Sequence, residues 1–114
     1  MAFNDAALTT GAQAIANAYP YLSIHTDTSI ASSAAESTAP RVAAGWAVDS
    51  DGDITCGSKA FSGGAASGPA KRVGYWSAAT GGTYGGGALL SGDQAFNASG
   101  EYTITGITET GTAT

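Results

Sequence analysis

The feature that most constrains this chain is a change of period at Pro20. Before it, Leu8, Ala12, Ile15 and Tyr19 recur at i, i+4, i+7 and i+11, one apolar face of a helix. After it, that period does not return. Apolar residues come instead in short runs separated by Gly, Ser, Asp and Thr, and 17 of the 114 residues are Gly. Such punctuation favours short strands joined by turns over a helical bundle.

The helical segment has a start and a stop. Asn4 is a good N-cap, because its side chain can accept from the orphan amides of the first turn. With that cap, Phe3 and Leu8 occupy the two positions of a hydrophobic staple, and Pro20 ends the helix. Gly11 costs about 1 kcal/mol against Ala, so it either admits a close neighbour or leaves the helix weak.

Beyond Pro20, Leu22, Ile24 and Thr26 alternate with Ser23, His25 and Asp27, the pattern of a half-buried strand. Residues 28–40 read as a surface loop. Val42 to Val48 reads as a strand around Trp46, and Asp49-Ser50-Asp51-Gly52-Asp53 as a hairpin turn. Ile54 to Phe61 forms the next strand, Gly63 to Pro69 a loop, and Lys71 to Ser77 a further strand. Gly81 to Gly87 crosses from a turn into a glycine-thinned strand that ends at Leu89-Leu90. Glu101 to Ile107 alternates again. The predicted fold is mainly β in a single domain: an N-terminal amphipathic helix over 1–20, a small antiparallel β-sandwich or barrel of about six strands over 21–107, and a polar C-terminal tail over 108–114, extended or disordered.

Charge narrows the function classes. Four basic residues against nine acidic ones give a net charge of −5. Neutralising phosphates needs a basic footprint, so nucleic-acid binding is disfavoured, and an anionic membrane surface with it. The lone Cys56 cannot form an internal disulfide, no run approaches the length of a membrane span, and Met1 to Asp5 lacks the basic and apolar regions of a signal peptide. Synthesis and folding in a cytoplasm are expected.

Several motifs could carry chemistry. Asp49 to Asp53 resembles the start of a calcium loop, but Ile54 and Ala60 stand where Gly and Glu are required, so no metal is expected there. Ser23, His25 and Asp27 share a strand face, yet same-strand neighbours point in parallel and rarely converge into a nucleophile–base relay. A Cys56–His25 pair is arithmetically open. The Gly81–Gly87 run lacks the Gly-Lys-Ser/Thr and following helix of a phosphate cradle. Asn97-Ala98-Ser99 is a glycosylation sequon only if secreted. Lys71-Arg72 reads as an edge guard or an interface ion-pair donor. No catalytic, cofactor or metal residue is assigned.

The surface composition is the last clue. With few charges and aromatics gathered at Tyr75, Trp76 and Tyr84, the chain has the composition of an interface core, although the same rings could fill its own core. The candidate assembly residues are Tyr75, Trp76, Tyr84, Gly85, Gly86 and Leu89.

The block Val73-Gly74-Tyr75-Trp76-Ser77-Ala78-Ala79-Thr80-Gly81-Gly82-Thr83-Tyr84 resembles a stretch of small virion proteins of tailed phages, frequent in phages of actinobacteria and often labelled tail fibre or minor tail proteins. The similarity extends to the Ala-rich helix Asp5 to Ala18, to Ser23-Ile24-His25-Thr26, to the aromatic strand Arg41 to Val48, and to the phrase from Gln94 to Ile104. The resemblance implies a non-enzymatic structural protein located in the virion and assembled in the host cytoplasm. It would be a minor tail protein, tail tip or fibre module, with no cofactor, contacting other virion proteins and favouring a homo-trimer. The alternatives are a capsid decoration protein on the major capsid shell and a module binding host-wall glycan through Trp46, Trp76 or Tyr84.

Overall fold

The structure, a computed structural model, describes residues 4–110. Among the described residues it is mainly β, with one N-terminal helix and antiparallel sheets, as expected, but nine short strands replace the six predicted and the barrel is not closed.

Helix α1 spans Asp5–Ala18, and Asn4 caps it through Oδ1, which accepts from the Ala7 amide at 2.9 Å. Phe3 of the staple lies outside the described residues. The buried row is not the predicted stripe. Ala12 and Ala16 are buried with Leu8 half-buried, whereas Ile15 is 52% exposed. Two alanines allow the helix to sit close on Ile54, and that approach turns Ile15 aside. Gly11 admits no close neighbour: a Cβ built there meets nothing within 4 Å.

Strand β1 is Tyr21–His25, β2 Val42–Ala43, β3 Ala47–Val48, β4 Ile54–Cys56, β5 Lys59–Phe61, β6 Arg72–Trp76, β7 Tyr84–Leu89, β8 Tyr102–Ile104 and β9 Ile107–Glu109. They form sheets ordered β2-β1-β6-β7, β3-β4-β9 and β5-β8. Each surplus strand comes from a predicted strand that bends and changes sheet. The 42–48 segment turns at Gly45 (φ +62°), and the 101–109 segment at Gly106 (φ +131°), which packs on the Cys56 carbonyl beside the break between β4 and β5. The turn at Asp49–Asp53 forms as expected, with Asp49 Oδ1 accepting from the Asp51 and Asp53 amides and Gly52 pressed against Leu8. Within the expected tail, Thr108 instead pairs with Thr55 in β9; residues 111–114 lie outside the described residues.

Strand β1 departs from expectation most. It is buried on both faces from Leu22 to His25. Leu22 and Ile24, opposite Tyr75 and Val73, face a core with Phe61, Phe96, Tyr102 and Ile104. Ser23 and His25, opposite Gly74 and Arg72, face the other way, and the 28–36 segment returns over them: Thr26 N–H donates to Ala35 O and His25 bridges to Glu36. Trp46 packs against both this core and the smaller one under the helix.

Candidate functional site

Two sites flank the four-stranded sheet. On one face, polar groups converge that the sequence places in parallel. Ser23 Oγ lies 2.6 Å from His25 Nε2. The opposing residue allows this, because a Cβ at Gly74 would stand 2.6 Å from each of those atoms. His25 Nδ1 is 2.7 Å from the Ala34 carbonyl, which can only accept, so Nδ1 carries the proton and Nε2 accepts from the Ser23 hydroxyl. Ser23 Oγ in turn accepts from Trp76 Nε1 at 2.9 Å. Burial pushes the His25 pKa below its ordinary value, against the opposing pull of the Ala34 carbonyl.

Arg72, fully buried on the same face, donates from Nε to Asp27 Oδ1 (2.8 Å), from Nη1 to Tyr84 Oη (2.7 Å) and from Nη2 to Ala34 O (2.8 Å). Tyr84 donates onward to Ile30 O. The Arg72 guanidinium holds the Asp27 carboxyl below its usual range. Arg41 stacks 3.6 Å from the Trp76 ring centre while gripping Glu36 with two nitrogens. Among the described residues, no buried side-chain nitrogen or oxygen lacks a partner.

A serine beside a histidine invites a nucleophilic reading. Ser23 and His25 are both 0% exposed, and the group orienting the imidazole is a backbone carbonyl, with the Asp27 carboxylate held by Arg72 instead. The arrangement therefore ties β1, β6 and β7 to the 28–36 segment. Cys56 sits on the core side of a different sheet, its thiol pKa raised by burial, so it does not meet His25. Among the described residues, no group of three or more His, Cys, Asp or Glu could hold a metal. The Lys71-Arg72 pair divides: Arg72 points inward from a central strand, which overturns the edge-guard reading for it, and Lys71 Nζ reaches Gln94 Oε1. Asn97 Oδ1 accepts from the Ser99 and Glu101 amides in a turn, and Gly85 to Gly87 lie in β7 with no helix following.

The second site is a cavity of about 600 Å³ on the opposite face, between α1 and β7. Leu8, Gly11 and Ile15 form one wall, Gly85 to Gly87 the other, and Ile54 and Tyr75 lie at its base. Glu109 stands at its edge and accepts from the Tyr75 hydroxyl at 2.5 Å. Burial and that carboxylate hold the Tyr75 phenol protonated well above its ordinary range. Gly85 is bare because Tyr19 lies over it: a Cβ would come 2.6 Å from the ring.

The candidate assembly residues therefore do not form one patch. Tyr75, Gly85 and Gly86 line the cavity; Trp76 and Tyr84 lie on the opposite, covered face; Leu89 is exposed at the end of β7. The helix wall escaped the sequence reading. Its signal was Gly11 within an apolar helix, which marks an unfilled position rather than a close approach.

No family model matches the chain, and neither a curated protein nor a solved structure is significantly similar to it.

Proposed function

We propose that this chain is a non-enzymatic structural protein of a tailed-phage virion, a minor tail protein at the tail tip or in a fibre, working through protein–protein contacts. The observation that carries the reading is the apolar cavity between α1 and β7, with Ile15 half exposed beside it. Open apolar surface of this kind on a small charge-poor domain suits a subunit that is completed by neighbours. The resemblance of the Val73–Tyr84 block to small phage virion proteins supplies the setting.

A decoration protein on the capsid shell is the nearest alternative. Glycan binding is less well supported, because Trp46, Trp76 and Tyr84 share no exposed plane. Trp76 is covered by Arg41 and stacks with His25, while Trp46 meets Tyr75 edge-on across the sheet. Mass spectrometry of purified virions, counting this chain against the major capsid protein, tests the proposal. A few copies that follow detached tails are expected. Near-equal copies would transfer it to the capsid shell, and absence from particles would overturn it.

A further inference from the structure

We infer that the cavity between α1 and β7 receives an apolar side-chain anchor flanked by Lys or Arg, carried by a different protein of the particle. This names the partner chemistry of the proposed assembly role and rests on it. Two observations choose this occupant over a second copy of the chain. The first is charge. The carboxylate of Glu109 lines the cavity, and two more are exposed on the elements that wall it: Asp5 in the first turn of α1, and Asp51 next to Gly52 on the turn that packs on Leu8. Among the described residues, no basic side chain lines the cavity. The chain's four cations lie elsewhere and are largely engaged: Arg41 with Glu36, Arg72 with Asp27, Lys71 with Gln94, and Lys59 on β5 beside Gly45. A second copy would bring carboxylates to carboxylates, whereas a cationic partner meets an opposite field.

The second observation is the form of the edge. Among the described residues β7 pairs only with β6, which leaves its outer side available, but the register shifts beside Tyr75 and Gly86 adopts φ +140°. Such an irregularity spoils continuous strand addition. Recognition then falls to a side chain inserted between the bare glycines and the helix, with its basic neighbours at the rim. The anchor enters apolar volume and the cations remain near water, where a rim pair tunes selectivity more than affinity.

The test is an amide NMR titration of the full-length chain with a blocked pentapeptide alternating lysine with phenylalanine and leucine. Saturable shifts at Gly85, Gly86, Gly87 and Gly11 are expected, weakening with added salt. Asp51→Asn should weaken binding about threefold, the scale of an exposed ion pair. Gly11→Leu fills the cavity from a position where a Cβ meets nothing, so it should fold at least as well as the parent and abolish those shifts. A glutamate version of the peptide should leave the spectrum unchanged. Equal binding of both peptides, no shift with the lysine peptide, or peptide-free self-association through the same amides would each overturn the inference. None of these outcomes depends on particle composition, so virion mass spectrometry can fail or succeed separately.

Discussion

The two faces of the β2-β1-β6-β7 sheet solve opposite problems. One gathers Ser23, His25, Arg72, Trp76 and Tyr84 under the 28–36 segment, and each polar group has a partner. The other sets alanines of α1 and glycines of β7 against each other and leaves about 600 Å³ unfilled. Polar groups in a low-dielectric layer are costly unless each is paired, so the first face tolerates little change. Small residues forgo packing area and carry no such penalty, so the second can accept added volume at Gly11, where a Cβ meets nothing. A face that must be closed reads as architecture; one that has room reads as a place for something else.

Substitutions can break this contrast, beginning on the closed face. Arg72→Met removes all three guanidinium donations and leaves Asp27 and the Ala34 carbonyl short of a partner; a loss of about 3 kcal/mol is expected in denaturant unfolding. Gly74→Ala pushes a methyl group into Ser23 Oγ, His25 Nε2 and the Tyr84 ring, and about 2 kcal/mol should be lost. If either variant unfolds like the parent, the closed face is not what holds the sheet together.

Acid should act on the same face. The fold favours neutral His25, so below the ordinary value of 6.5 the unfolded chain takes up a proton that the folded chain resists. Stability should therefore fall as pH drops through 6.5, and fall again below 3.8 as Asp27 loses its ion pair with Arg72. Because the chain has one histidine, His25→Gln should remove the first decline in a pH series of melting curves and spare the second. The smallest effect lies on the open face and has the opposite sign. Gly11→Ala should stabilise by about 1 kcal/mol, since the added methyl group meets nothing and the helix gains propensity.

Legibility in the sequence follows the range of the interactions. The cap at Asn4, the end at Pro20 and the turn at Asp49–Asp53 rest on neighbours a few residues apart, and they appear where expected. Strand breaks at Gly45 and Gly106 depend on which sheet each half joins, a contact formed across the fold. The Ser23–His25 convergence depends on Gly74, 51 positions away from Ser23 and without a side chain to announce itself. The open cavity was hidden for a similar reason: absent side chains at Gly11 and Gly85–Gly87 leave a pattern of alternation with nothing to read.

Zero-length carbodiimide cross-linking of purified virions, followed by mass spectrometry, most directly tests whether the open face is the working face. Links from Asp5, Asp51 or Glu109 to lysines of another virion protein are expected. Links confined to Glu36 or Asp27 beside the closed face, with none from Glu109 or the neighbouring Asp5 and Asp51, would contradict it.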